Sequence, residues 1–579
     1  MSRPAVASPW RFRAVLIAVG AVAVMLSARA VDLQLVSKDR FQIKGDAAHL
    51  RIVDTPAHRG MITDRNGEPL AISTPVASIW VKPAEVLSAP DQLPALAKLL
   101  GTDAKRLTDK LESRVERDFV YLKRRVTPEL ANAAESLAIP GVNSQREYRR
   151  YYPAAEVTAH VLGFTNVDDA GQEGIELVFD EYLRGQAGKK RVLQDRRGRV
   201  IAEVEQLEDA VEGRDLALTI DKRIQYLAYR ALKGAVQFHN AVSGSMVVLD
   251  TQTGEVLAMV NQPSYNPNAR RGITPAVYRN RAVTDLFEPG STVKPFIVAA
   301  ALESGRYHPR SIVETAPGRF YVGRHAVSDV HDYGRIDVTT VLTKSSNVGI
   351  AKLALGLDRD VVWNSLARVG FGAVTGSNFP GEQGGYLKDF HQWVPFEHAT
   401  FSYGYGMSST SLQLARAYVA LANDGLSIPV SLLPISQPPQ SVRVMKAEVA
   451  RKVRAMLETV VSDDGTAPRA RISGYRVAGK TGTVKKLKNG VYTDDEYIAL
   501  FAGIVPASKP RLAAVVVIDQ PRRGDFYGGQ IAAPVFSEVM SDALRLLDIP
   551  PDDLGGAQRR IGAPAHQAAL GLASNRGAL

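Results

Sequence analysis

The stretch Glu288-Pro289-Gly290-Ser291-Thr292-Val293-Lys294-Pro295-Phe296 constrains this chain more than any other. Gly and Pro supply a turn, Ser291 suits a helix cap or first turn, and the apolar run Phe296 to Leu302 predicts a helix driven into a core. Ser291 and Lys294 stand at i and i+3, so they project from one face. A serine hydroxyl is a weak nucleophile until a base removes its proton, and a desolvated lysine is such a base. A lone Ser-x-x-Lys is an ordinary surface pair; its companions give it meaning. Ser345 and Asn347 make a Ser-x-Asn that begins 54 residues beyond Ser291 and leads into the apolar helix Ile350 to Leu355. Val477 to Val484 reads as a strand carrying Lys480-Thr481-Gly482-Thr483, with glycines that let another backbone lie close. An earlier Ser-x-Asn, Ser264-Tyr265-Asn266, sits between Pro263 and Pro267 and reads as a decoy. Glu288 reads as a structural turn residue.

A chain of 579 residues exceeds one core and implies two or more folded units. Its net charge of +11 points to an anionic surface such as lipid headgroups. Nucleic acid is disfavoured, because the charge is spread out and no nucleic-acid-binding motif accompanies it. The absence of cysteine excludes a disulfide framework and thiolate catalysis. The histidines are scattered without ligand spacing, so neither a metal nor any other cofactor is expected.

Arg3, Arg11 and Arg13 precede the apolar run Ala14 to Ala28, a pattern that holds the N-terminus in the cytoplasm and exports the rest of the chain. Residues 14–36 are expected to form an uncleaved transmembrane anchor after a cytoplasmic tail at 1–13, with Arg29 and Asp32 near the outer interface. A cleaved signal peptide ending near Ala28-Arg29-Ala30 is the rival. Residues 37–216 read as a non-catalytic pedestal, with an Asn66-Gly67 hairpin, a helical stretch over 91–137 and a second hairpin around Arg197-Gly198. Within it, His58, Arg59, Asp64, Arg149 and Glu173 read as a salt-bridged packing platform in preference to a second active site. Residues 217–548 read as the catalytic domain. Strands at Ser245 to Leu249, Val256 to Val260, Tyr475 to Val484, Tyr497 to Val505 and Leu512 to Ile518 flank a largely helical middle, which predicts an α+β fold with an antiparallel sheet. A final helix is expected over Pro534 to Leu547, and residues 549–579 are expected to be mobile.

Ser-x-x-Lys, Ser-x-Asn and Lys-Thr-Gly in this order are the site signature of penicillin-interacting serine enzymes. Together with Arg59-Gly60-x-Ile62-x-Asp64-Arg65-Asn66-Gly67, Arg149 to Pro153 and Gly174-Ile175-Glu176, they make nearly the whole chain resemble the class B penicillin-binding proteins, and within them the septal transpeptidases. The resemblance implies a penicillin-binding/β-lactamase-like domain behind a pedestal of the dimerisation type. It implies a D,D-transpeptidase that crosslinks peptidoglycan stem peptides during division, anchored once in the inner membrane with its catalytic domain periplasmic. β-Lactams would be covalent inhibitors; an FtsW-like glycosyltransferase and other divisome proteins would be partners. Ser291, Lys294 and Ser345 would be catalytic, and Asn347, Lys480, Thr481, Gly482 and Thr483 would bind substrate. Two departures, Thr481 in the third motif and the order Phe526-Tyr527, leave a condition-specific paralogue open. A D,D-carboxypeptidase is the enzymatic alternative. A β-lactam sensor is disfavoured because the cytoplasmic tail is too short for a signalling domain.

Overall fold

The computed structural model describes residues 9–32, 34, 50–194, 200–488 and 490–553. The expected hairpin turn at Arg197-Gly198, the last residues of the expected anchor and nearly all of the C-terminal tail lie outside them. Among the described residues one helix, Pro9–Val31, is apolar enough over Phe12–Val31 to cross a membrane. At about 1.5 Å per residue it is roughly 35 Å long, which matches a hydrocarbon core of about 30 Å. Its valines and leucines are exposed all round, so no protein core accounts for its composition.

The chain forms two compact units, and each draws on several stretches of sequence. The first holds Met1–Arg59, Thr74–Arg149 and Arg184–Gly213. It carries an antiparallel sheet of Leu50–Thr55, Gly188–Gln194 and Val200–Glu208. A small core of its own forms around Ile79, Leu96, Leu107 and Leu111. The region expected to be helical over 91–137 is interrupted by the strand Val120–Val126, which pairs with the far end of Pro69–Val81. The sequence VYLKRRV is rich in β-branched and aromatic residues and gains a ladder partner there, which outweighs the helical pattern on either side.

The second unit holds Gly60–Ser73, Arg150–Leu183 and the chain from Arg214 onward. Its centre is a five-stranded antiparallel sheet of β1 (Ser243–Asp250), β2 (Val256–Gln262), β3 (Ala478–Lys488), β4 (Val491–Val505) and β5 (Leu512–Asp519), in the spatial order β2-β1-β5-β4-β3. Every residue of β1 and β2 is buried, so both faces of the sheet are covered. Helices Lys222–Phe238 and Gly528–Leu546 pack on each other and on the sheet, and Ser411–Ala422 packs against β1, β4 and β5. The last helix begins six residues before the expected start, with Pro534 in its interior. Proline favours a first turn, but the buried side chains of Ile531, Ala532, Val535 and Phe536 carry the helix across it. At the other end Leu216–Ala217 is a two-residue strand.

Within this unit Arg150, Glu176 and Asp64 of the pedestal motifs make structural contacts. Arg150 Nε donates to Glu176 Oε1 at 2.7 Å, and the two side chains are 1% and 0% exposed. Asp64 accepts the backbone N–H groups of Asn66, Glu68 and Lys222 at 2.7, 2.9 and 3.1 Å. It thus shapes the Asn-Gly turn and ties it to the start of helix Lys222–Phe238. The decoy serine is likewise occupied, Ser264 Oγ donating to the Glu156 carbonyl at 2.8 Å.

Candidate active site

Ser291 lies in a 3-10 turn, Gly290–Val293, and the helix Lys294–Glu303 follows it directly. The turn can rest against β3 because two glycines leave room for it. A Cβ at Gly290, which has φ +54°, would lie 2.4 Å from Val484 Cγ2, and one at Gly482 would lie 3.2 Å from Thr292 Cγ2. From below, the fully buried Tyr418 hydroxyl donates to the Thr292 carbonyl at 2.9 Å. Seven consecutive residues, Pro295 to Ala301, are buried, so the helix is fixed by packing on all sides.

Ser345 ends the helix Val338–Lys344 in the left-handed conformation, φ +61° and ψ 37°. Such a backbone is costly for a residue with a Cβ and turns its side chain and carbonyl out of the helical path. Ser346 then caps the helix Asn347–Leu355 by accepting the Gly349 N–H at 2.8 Å. Asp329 completes that cap: its carboxylate accepts the Ser346 hydroxyl and the N–H groups of Asn347 and Val348. No sequence motif singles out Asp329; only the fold brings its loop to this helix start.

The three motifs converge. Lys294 Nζ donates to the Ser345 carbonyl at 2.6 Å, to Asn347 Oδ1 at 2.8 Å and to Ser345 Oγ at 3.3 Å. Lys480 Nζ donates to Ser345 Oγ at 2.9 Å and to the Thr481 carbonyl at 3.2 Å. Ser345 therefore stands between two lysine amines. Among the described residues, the Ser291 hydroxyl has no hydrogen-bond partner. Both lysines are fully buried, whereas Ser291, Ser345, Asn347 and Thr483 are partly exposed. Burial holds Lys294 well below the ordinary lysine range, the charge of Lys480 adds to the depression, and Asp329 opposes it. Burial lowers Lys480 to about 7.

Among the described residues, β3 is an edge strand with no strand paired on its outer side. Thr481 Oγ1 shares a 2.8 Å hydrogen bond with Thr466 Oγ1, and Thr483 Oγ1 accepts the Gly528 N–H at 3.1 Å. Thr466 is a further site neighbour with no signature in the sequence. Beside these residues Phe526 stacks on Tyr497 with ring centroids 4.3 Å apart, and Tyr527 is exposed. Glu288, read from sequence as a turn residue, does more: its Oε1 accepts the Gly406 N–H at 2.7 Å and the Tyr492 hydroxyl at 3.0 Å.

Residues 244–541 match the penicillin-binding protein transpeptidase domain, and residues 54–218 match the penicillin-binding protein dimerisation domain. This chain is a penicillin-binding protein. It is 43% identical over 551 residues to the peptidoglycan D,D-transpeptidase FtsI of Escherichia coli K12, covering 94% of this chain and 93% of that one. It is also 43% identical over 529 residues to the probable peptidoglycan D,D-transpeptidase PbpC of Pseudomonas aeruginosa, covering 91% and 94%. The structure of penicillin-binding protein 3 from Mycobacterium tuberculosis in complex with aztreonam matches with a TM-score of 0.68 at 28% identity, covering 86% of this chain and 98% of that one. The α+β reading and the resemblance to class B penicillin-binding proteins of the FtsI type are thereby borne out.

Proposed function

We propose that this penicillin-binding protein is a serine-type peptidoglycan D,D-transpeptidase that crosslinks stem peptides through an acyl-enzyme on Ser291 during septal wall synthesis and cell division. The observation that carries the mechanism is one hydroxyl, Ser345 Oγ, within reach of Lys294 Nζ and Lys480 Nζ at 3.3 and 2.9 Å. Ser291 attacks the carbonyl between the two terminal D-alanines and passes its proton to Lys294. A base must be uncharged to accept that proton, and burial beside a second ammonium favours the uncharged form. Ser345 relays a proton to the departing amine, the C–N bond breaks, and the last D-alanine leaves. The backbone N–H groups of Ser291 and Thr483 form the oxyanion hole, worth about 3–4 kcal/mol per donor in serine hydrolases.

Asn347 holds the substrate amide, and Lys480 with the Thr481 and Thr483 hydroxyls receives the donor's terminal carboxylate. Gly482 keeps the strand flat enough for the nucleophile turn beside it. The open edge of β3 supports an added-strand mode in which the stem peptide pairs with 480–483. An amine from a neighbouring stem then attacks the ester carbon, the C–N crosslink forms, and Ser291 Oγ regains a proton. β-Lactams enter the same groove and acylate Ser291.

In this reading residues 37–216 serve as the pedestal and 217–548 as the transpeptidase domain. The helix Pro9–Val31 is the single inner-membrane anchor, the catalytic unit is periplasmic at the septum, and an FtsW-like glycosyltransferase with other divisome proteins are the partners. Fluorescent penicillin should label the wild type and not Ser291→Ala; persistent labelling of the variant rejects the nucleophile. A donor stem analogue incubated with an acceptor amine should give the transfer product. Free acid as the sole product at high acceptor would make the enzyme a D,D-carboxypeptidase.

A further inference from the structure

Glu288 stands three residues before the nucleophile, and the transpeptidation mechanism does not use its carboxylate. Its Oε1 has two donors, Gly406 N–H and Tyr492 O–H, while its Oε2 is enclosed and has no hydrogen-bond partner. No described cation compensates it: of the nearby lysines on β3, Lys485 pairs with Asp494, Lys486 with Asp519 and Lys488 with Glu496. Burial accordingly pushes the Glu288 carboxyl above its ordinary range. An enclosed carboxylate with an unfilled oxygen is an acceptor waiting for a donor.

The surroundings suit a positively charged donor. The rings of Tyr405 and Tyr492 meet edge to face with centroids 5.4 Å apart, and Tyr403 lies 5.7 Å from Tyr405. Aromatic faces beside a carboxylate are the combination that binds an ammonium group. The cluster also lies beside β3 and the turn that carries Ser291. Tyr405 makes a hydrogen bond with the Lys485 backbone, two residues past Thr483, and Gly404 accepts the Gly290 N–H at 3.3 Å. A Cβ at Gly404 would lie 2.3 Å from the Gly290 carbonyl, so this loop is pressed against the nucleophile turn. Tyr492 is 39% exposed and lies on β4 near the tip of the β3–β4 hairpin, so the cluster has a face toward solvent.

We infer that the Glu288 carboxylate, walled by Tyr405 and Tyr492, receives the ammonium group of the acceptor stem, which gives up one proton to solvent before the free amine attacks the acyl-enzyme. This assignment rests on the transpeptidase reading. It gives Glu288 a recognition role on the acceptor side, opposite in charge to the Lys480 site for the donor carboxylate.

The test uses the full chain, a thiolester donor and two acceptors: Nα-acetyl-D-lysine, whose amine is cationic at neutral pH, and hydroxylamine, which is uncharged. Glu288→Gln should raise the KM for the cationic acceptor about tenfold, the loss expected when a charged partner becomes neutral, and leave the KM for hydroxylamine unchanged. Equal changes for both acceptors, or none, overturn the assignment. Penicillin acylation, which needs no acceptor, is the control: a parallel fall there makes Glu288 a brace for the nucleophile turn and also overturns it. Should Glu288→Gln fail to fold, Tyr492→Phe keeps the ring and removes the hydroxyl that occupies Oε1, and should lower the KM for the cationic acceptor alone; a rise refutes the idea. If the wild type yields no transfer product with either acceptor, the transpeptidase reading falls as well, an outcome distinct from normal transfer that is indifferent to Glu288.

Discussion

Two pairs of fully buried charged side chains sit within the same unit, and they are built on opposite plans. Arg150 and Glu176 carry opposite charges, meet at 2.7 Å and leave almost nothing to solvent. Lys294 and Lys480 would carry like charges and are joined through a shared hydroxyl rather than to a counter-ion. The first arrangement answers the cost of burying each charge with the other. The second leaves that cost standing and lets it appear as a displaced proton affinity. A buried pair of opposite sign holds a fold together, and a buried pair of like sign holds a proton ready to move.

The contrast can be broken from either side. The largest effect is expected at Lys294: replacement by Ala should slow penicillin acylation by at least about a thousandfold, as loss of a general base does, with little change in Tm. A large fall in Tm would mean that Lys294 is structural after all. Next comes Glu176→Ala, which should cost about 3–5 kcal/mol of stability by stranding Arg150, while acylation per folded molecule is unchanged. The double change Arg150→Met with Glu176→Leu should recover much of that loss in thermal unfolding, since the pair is expensive to break and cheap to replace.

The smallest effect is a slope. Lys480 titrates near 7 when folded against 10.5 when unfolded, so between these values the unfolded chain binds more protons. Stability should therefore rise with pH through that window, and Lys480→Met should flatten the rise in Tm measured across it. Donor recognition should run the other way and weaken as pH passes 7 and Lys480 loses its charge. The paired titration of the two lysines gives acylation a bell-shaped profile.

The Ser-x-x-Lys turn, the Ser-x-Asn and the Lys-Thr-Gly strand were legible because each is short and local. Their convergence agrees with the family signature, and the antiparallel sheet follows from continuous apolar runs at both ends of the domain. The features that escaped have a common cause: they depend on partners distant in sequence. Asp329 and Thr466 become site neighbours only when their loops fold back. Val120–Val126 is a strand because Pro69–Val81 offers it a ladder. Pro534 marks no boundary because the packing around it outweighs one missing hydrogen bond. Glu288 looked like punctuation because neither the tyrosine nor the glycine it contacts, 204 and 118 residues away, is apparent locally.

The open edge of β3 carries a hazard as well as a use. A sheet that stops at an unpaired strand offers its ladder to any extended chain, including another molecule of the same protein. Lys485, Lys486 and Lys488 come directly after the stretch assigned to substrate and pair with Asp494, Asp519 and Glu496, so a second copy docking edge to edge would have to bury or break these ion pairs. The strand thus offers its ladder to a short guest at one end and guards it with costly ion pairs at the other.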